Sequence, residues 1–187
     1  MNDKKCIPCK NYLINRLRET ECFMTGEFTL KSGVTSSYYV DLRKIISYPD
    51  LMKDIAAYIN LHYLETCKDI TIKMAGIPYG AISIASVLSV TSDIPLIFIR
   101  QGTKSHGLKK QIEGLFNEGD SVILIEDVVT TGGSVLETIE ILKEHNLKVE
   151  KVIVLFDRGG LVNLREKGLN CVSLFNENDI NLSVSDQ

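Results

Sequence analysis

Glu126 and Asp127 are adjacent carboxylates closing an apolar run, and small or hydroxylated residues follow them in the stretch VILIEDVVTTGGS, residues 122–134. Residues 122–125 read as a buried strand. Ligands of open α/β sheets bind beyond the carboxyl ends of strands, and that is where the two acids stand. Thr130, Thr131, Gly132, Gly133 and Ser134 then lead into a helix. Side chains this small let backbone N–H groups converge on an anion, and the hydroxyls add donors. The following helix contributes unpaired amides and the positive end of its dipole. A phosphate would repel the two carboxylates, so they must face another part of the ligand, either sugar hydroxyls or a metal. A phosphorylated sugar satisfies both halves. The plainer alternative is a strand–turn–helix junction capped by Thr or Ser. Adjacent acids ending an apolar strand weigh against it, because unpaired charge there is costly. The stretch fits neither GxxxxGK[ST] nor GxGxxG, so neither a P-loop nor a dinucleotide fold is indicated.

The scaffold for these residues is legible as alternating strands and helices. Residues 8–20 read as a helix, and 26–43 as an antiparallel hairpin about a Gly-Ser-Thr turn. Pro49 opens a helix to about residue 66, with Asp50 and Asp54 in its early turns. Apolar runs at 70–75, 95–99, 122–125, 152–156 and 171–174 read as buried parallel strands, with helices over 81–90, 134–145 and 161–167 between most of them. Asn146 suits the end of the second of these helices. The alternation predicts an α/β fold, an open and mostly parallel sheet with helices on both faces. Residues 101–118 break the pattern: they are glycine-rich and basic at first, with Lys104, His106, Lys109 and Lys110. So long a loop in a compact domain is usually functional or mobile. For Lys109 and Lys110 the ordinary reading is a solvated surface, and His62 and His145 read as structural.

Composition narrows the classes. The chain has 187 residues and a formal net charge of −3, which argues against general nucleic-acid binding. No apolar run approaches the roughly 18 residues needed to span a membrane. The first residues carry no signal-peptide pattern, so a cytoplasmic protein is expected. Cys6, Cys9, Cys22, Cys67 and Cys171 form no disulfide framework or zinc spacing and read as reduced thiols.

EDVVTTGGS closely resembles the PRPP (phosphoribosyl diphosphate) signature of type I phosphoribosyltransferases. FTLKSGVTSSYYVDLR, AGIPYGAISIA, RQGTKSHG followed by IEG, and LFDRGG resemble, in order, the hood, pyrophosphate-side loop, mobile catalytic loop and base-site strand end of the orotate phosphoribosyltransferases. The resemblance covers roughly residues 20–165. It implies the type I phosphoribosyltransferase fold as one domain over 1–187, with a helix and small hood over 1–45, a core over 46–175 containing a mobile loop at 101–115, and a polar, partly disordered tail over 176–187. It also implies transfer of ribose 5-phosphate from PRPP to orotate in pyrimidine biosynthesis, with Mg²⁺ held mainly through the substrate diphosphate. Glu126 and Asp127 would hold the ribose hydroxyls, and Val128, Val129, Thr130, Thr131, Gly132, Gly133 and Ser134 would wrap the 5-phosphate. Tyr79, Gly80, Arg100, Gln101, Lys104 and His106 would lie along the diphosphate, with Lys31 reaching the cleft. Lys31, Tyr39, Val40, Thr130 and Arg158 would meet orotate, Arg158 pairing with its carboxylate as a planar donor can. Lys104, His106 and Asp127 are the catalytic candidates, the first two reaching the neighbouring active site of a homodimer.

Two positions depart from the pattern. Gly80 and Gln101 stand where many bacterial members carry lysine, removing positive charge from the diphosphate side. Weaker PRPP binding than in a member with both lysines is therefore expected. Two rival readings share the phosphate motif: a phosphoribosyltransferase for a purine or another base, and a PRPP-sensing protein without catalysis. The hood and Arg158, suited to an anionic pyrimidine, oppose the first, and the retained Lys104, His106, Asp127 and Arg158 oppose the second.

Overall fold

The computed structural model describes residues 8–29, 33, 35–65, 67, 69, 71–100 and 111–181. Helix α1 (Lys10–Glu19) leads into the antiparallel hairpin β1 (Phe23–Thr29) and β2 (Thr35–Val40). A 3-10 segment, Leu42–Ser47, joins this hairpin to α2 (Pro49–Ile59), which continues as a π-helical turn, Asn60–Leu64. Then follow β3 (Ile72–Gly76), α3 (Ile82–Ser92), β4 (Phe98–Ile99), β5 (Ile112–Glu113), β6 (Ser121–Val129), α4 (Gly133–Glu144), β7 (Lys148–Asp157), α5 (Gly160–Glu166), β8 (Cys171–Asn176) and α6 (Glu177–Asn181).

Strands β3, β6, β7 and β8 form a parallel sheet in that order. Alternate residues of a strand point to opposite faces, and β6 divides its apolar side chains accordingly. Ile123 and Ile125 join the layer of Leu51 and Ile55 from α2 and Ile84 and Leu88 from α3. Val122 and Leu124 join Val135, Ile139 and Leu142 from α4 and Leu161 and Leu164 from α5. Each such buried Leu or Ile contributes about 1.5–3 kcal/mol, so both faces of β6 are firmly held. No described helix is long and apolar enough to cross a membrane.

The sheet has a switch point beside β3. Met74 is bridged in parallel to Leu96 and is also paired with Ile123 of β6, so Leu96 and β6 flank β3 on opposite sides. After β3 the chain turns one way, then crosses back to start β6. Helices α3 and α4 accordingly pack on opposite faces. The point where the two connections diverge is the place where such sheets take ligands.

Three expectations are corrected. Residues 95–99 do not make a full parallel strand: only Leu96 bridges β3, and Phe98–Ile99 then pairs antiparallel with Ile112–Glu113. That two-stranded ribbon leaves the sheet and returns the chain from 101–110, which lie outside the described residues. Strand β6 runs on to Val129 rather than stopping at 125, because β7 continues to pair with it, Val128 with Phe156 and Val129 with Asp157. Finally, the segment read as a polar tail from 176 opens with the end of β8 and helix α6. Ile180 is buried, Arg18 Nη2 donates to its carbonyl at 2.6 Å, and Lys10 pairs with Asp179 at 2.9 Å. Its polar groups are anchors to α1, which local composition does not reveal.

Candidate active site

The site begins with a mismatch in strand length. Strand β3 ends at Gly76, opposite Ile125, while β6 continues. Glu126 and Asp127 are therefore still in the ladder with β7 but have lost their neighbour on the other side. The acids stand inside β6, near its carboxyl end, not beyond it. The loop after β3 fills the gap: the Ile77 N–H donates to the Ile125 carbonyl at 2.9 Å, and the chain passes through Pro78, Tyr79 and Gly80. The Pro78–Tyr79 peptide is cis, and the Tyr79 side chain is 76% exposed. Gly80 lies flush on the Asp127 carboxylate, so that a Cβ built on Gly80 would overlap Asp127 Oδ2.

The two acids are not equivalent. Glu126 is 4% exposed, and burial, followed by the neighbouring Asp127 carboxylate, pushes its carboxyl up to about 8. The nearby Ser134 hydroxyl pulls the other way. Asp127 is only half-buried, and its Oδ1 accepts the Val128 N–H at 2.9 Å. The 3-10 segment packs against β6 here. Arg43 from that segment is anchored by Asp41 at 2.7 Å, and the charge of Asp127 also acts on it. Sequence reasoning passed over Arg43, although it ends the YYVDLR motif.

Val128 and Val129 remain in the strand, and the Val129 side chain is buried. The open loop starts at Thr130. Thr130, Thr131, Gly133 and Ser134 are exposed, while Gly132 is buried. Gly132 has φ 84°, in the left-handed region, and a Cβ on it would come within 2.7 Å of Leu164 in α5. Only glycine meets both demands at low cost. From outside, Asn163 Nδ2 donates to the Thr131 carbonyl at 3.3 Å. The loop is thus braced from behind by α5, and its front faces the open side with the first-turn amides of a 12-residue helix, of which Gly133 N–H reaches Thr131 Oγ1 at 3.4 Å. Oxygen of a phosphate is what such a ring of donors takes.

Across β7, Arg158 follows the strand directly. Its N–H donates to the Val129 carbonyl at 2.8 Å, which sets it beside the loop. Asp157 Oδ1 accepts the Gly159 and Leu161 N–H groups at 2.9 and 3.1 Å and fixes the turn into α5. The Arg158 side chain rises to the hairpin: Nε donates to Tyr38 Oη at 3.2 Å and Nη2 to Ser36 Oγ at 3.5 Å, with the guanidinium 5.0 Å from the Tyr38 ring centre. The hairpin is held over this end of the sheet by Phe23, whose ring meets Phe156 at 5.3 Å and Phe175 at 5.6 Å. Tyr39 points to the other face of the hairpin, 5.6 Å from Phe28, and Val40 packs at the margin of the core.

The structure therefore brings together Tyr79, Gly80, Glu126, Asp127, Thr130 to Ser134 and Arg158. Arg100 lies at the foot of the β4–β5 ribbon, where its Nη1 meets Glu113 Oε1 at 3.1 Å. Lys31, Gln101, Lys104 and His106 lie outside the described residues. His62 stacks on Tyr58 at 4.1 Å, and His145 Nδ1 is 2.9 Å from the Ile141 carbonyl, both structural settings. Ser36, Tyr38 and Glu177 were missed as site residues, since only the tertiary fold carries them to Arg158. No cluster of three or more His, Cys, Asp or Glu able to hold a metal occurs among the described residues.

The phosphoribosyl transferase domain family matches residues 44–186. Orotate phosphoribosyltransferase of Methanocaldococcus jannaschii is 39% identical over 167 residues, covering 88% of this chain and 93% of the relative. The crystal structure of orotate phosphoribosyltransferase from Aeropyrum pernix aligns with a TM-score of 0.76 at 28% identity, over 92% of this chain and 97% of that one. UMP synthase of Leishmania donovani aligns with a TM-score of 0.76 at 33% identity, and the match spans 92% of this chain but only 37% of that longer one.

Proposed function

The chain belongs to the phosphoribosyltransferase family, among its orotate phosphoribosyltransferases, and from that premise we propose that it transfers ribose 5-phosphate from PRPP to N1 of orotate. The bond from ribose C1 to the pyrophosphate oxygen breaks and the bond from C1 to N1 forms, giving orotidine 5′-monophosphate and pyrophosphate. One observation carries the reading: an acid pair, an open amide loop and an arginine converge at the carboxyl ends of the neighbouring strands β6 and β7.

Each part meets one need of the reaction. The Thr130–Ser134 loop takes the 5-phosphate on its amides and hydroxyls. Glu126 and Asp127 accept hydrogen bonds from the ribose hydroxyls, and the negative charge of Asp127 favours the cationic ribose of the transition state. Gly80 and Tyr79 border the diphosphate side, and Arg100 joins them by exchanging Glu113 for a diphosphate oxygen. Arg43 adds a cation near Asp127. Arg158 takes the orotate carboxylate, with Thr130, Lys31 and the backbone of Tyr39 and Val40 around the ring.

The oxygen donors fit Mg²⁺, a hard cation that binds through one or two carboxylates together with substrate phosphates. Asp127, the more exposed acid, is the protein group suited to it, and the diphosphate supplies the rest. The chemistry Mg²⁺ would supply when bound there is neutralisation of charge on the leaving pyrophosphate.

The assembly in this reading is a homodimer in which Lys104 and His106 close over the partner's diphosphate and exclude water. Exposed Phe98 and Leu115 flank the segment that carries them, offering apolar footing for such a contact. The unpaired thiols of Cys9, Cys22, Cys67 and Cys171 suit a reducing cytoplasm. The test is spectrophotometric: protein, PRPP, Mg²⁺ and orotate are mixed and the loss of orotate absorbance is followed. Turnover with a purine or uracil but none with orotate would overturn the assignment of the base. PRPP binding without turnover of any base would overturn catalysis.

A further inference from the structure

Arg158 is held on one edge only. The guanidinium offers five N–H donors in a rigid plane. Its Nε and Nη2 edge is engaged by the hairpin through Tyr38 Oη and Ser36 Oγ. The opposite edge, formed by Nη1 and the second N–H of Nη2, has no acceptor among the described residues. A carboxylate pairs best with two parallel N–H groups of one edge, and here that edge is left open.

The hydroxyl that fixes this orientation is itself fixed. Tyr38 is 8% exposed, and its hydroxyl donates to Glu177 Oε1. With the proton committed to Glu177, an oxygen lone pair is left to accept from Arg158 Nε. Burial and then Glu177 push the Tyr38 phenol up to about 12, so the hydroxyl keeps its proton and remains a donor at neutral pH. Glu177 opens α6, whose Ile180 and Asp179 are tied to α1 through Arg18 and Lys10. A chain of contacts thus runs from α1 and α6 through Glu177 and Tyr38 to the guanidinium.

We propose that Tyr38 and Glu177 are positioning residues for orotate: together they hold Arg158 by one edge so that its other edge meets the substrate carboxylate. The proposal rests on the reading of Arg158 as the carboxylate partner. Its effect is specific to the base, because Arg158 takes no part in holding PRPP.

Steady-state kinetics of four variants test it, with KM measured for both substrates and melting temperature alongside. Arg158→Ala establishes the premise: it should raise the orotate KM by roughly tenfold to a hundredfold and leave the PRPP KM within about twofold. Tyr38→Phe and Glu177→Leu should raise the orotate KM by about fivefold to tenfold, again with little change in the PRPP KM. Glu177→Gln keeps an acceptor for Tyr38 and should restore the orotate KM to within about twofold of the parent. If Arg158→Ala raises the orotate KM while Tyr38→Phe and Glu177→Leu do not separate from the parent, the positioning role is wrong though the base site stands. If both KM values rise together in Tyr38→Phe, the contact only braces the fold, and the role is equally wrong. If Arg158→Ala leaves the orotate KM unchanged, the carboxylate reading fails and the positioning role with it. Tyr38→Phe keeps the buried ring, so the test survives should Glu177→Leu unseat α6.

Discussion

Gly80 rests directly on the carboxylate of Asp127: there is no room between them for even a methyl group. The contact joins the two connections that diverge at the switch point, the loop after β3 and the end of β6. It also changes the meaning of the departure at position 80. From sequence, glycine there is a missing lysine charge. In the fold it is also the residue that lets Asp127 keep its place, so a relative with lysine must arrange the loop or the acid differently.

Replacing Gly80 by alanine should therefore displace Asp127 rather than unfold the protein. The carboxylate is a short, half-buried side chain that can swing, so the melting temperature should change little. Activity should fall by about tenfold to a hundredfold, since small misplacements of catalytic groups cost that much. Unchanged kcat/KM for PRPP in Gly80→Ala would show that Asp127 is not held where the reaction needs it.

Glu126 makes stability depend on pH. Its folded-state carboxyl lies near 8, above the ordinary 4.5, through burial and then Asp127. Between those values the native state binds more protons than the unfolded chain, so stability falls as pH rises through that window. Glu126→Gln removes the titration. Its melting temperature should exceed that of the parent at pH 8.5, and the gap should narrow steadily towards pH 5. Melting curves of the two proteins that stay parallel across this range would contradict the placement of Glu126 in a dry, acid-flanked setting.

Gly132 has a left-handed φ of 84° and lies against Leu164. Gly132→Ala should cost about 1–3 kcal/mol in urea unfolding, from backbone strain and the clash together. It should also raise the PRPP KM, because the amides that follow would turn away from the phosphate. A loss of stability with an unaltered PRPP KM would separate the loop from phosphate binding.

Gln101 is the other position without the expected charge. Gln101→Lys should tighten PRPP binding by about 1 kcal/mol, or about fivefold in Kd, measured by calorimetry. A Kd that stays the same or rises would mean that position 101 does not face the diphosphate.

Subunit mixing addresses the shared site. Lys104→Ala and Asp127→Asn proteins should each be nearly inactive alone. If Lys104 serves the partner's site, random reassociation rebuilds one intact site in each mixed dimer and recovers roughly a quarter of parental activity. No recovery, with mixed dimers demonstrated by mass spectrometry, would place Lys104 in its own subunit's site.

The parts legible in the sequence are those whose signal is local. The run 122–134 carries its strand, its acids and its small-residue loop in consecutive positions, so periodicity and residue size alone mark a phosphate cradle at a strand end. The apolar runs of the sheet and the helices between them are read the same way, because burial of one face imposes a short period on the sequence. What could not be read depends on residues far apart in the chain. That β6 extends to Val129 follows from its pairing with β7; that residues 95–99 leave the sheet follows from the ribbon with 112–113; that 176–181 close β8 and form a helix follows from anchors on α1. Arg158 could be nominated from LFDRGG, but its fixed edge needs Ser36 and Tyr38 from the hairpin and Glu177 from the last helix. The chain's local chemistry thus determined which ligand groups can be held. Tertiary packing alone decided which side chains share the cleft and which face of Arg158 remains open, because those depend on distances no spacing along the sequence encodes.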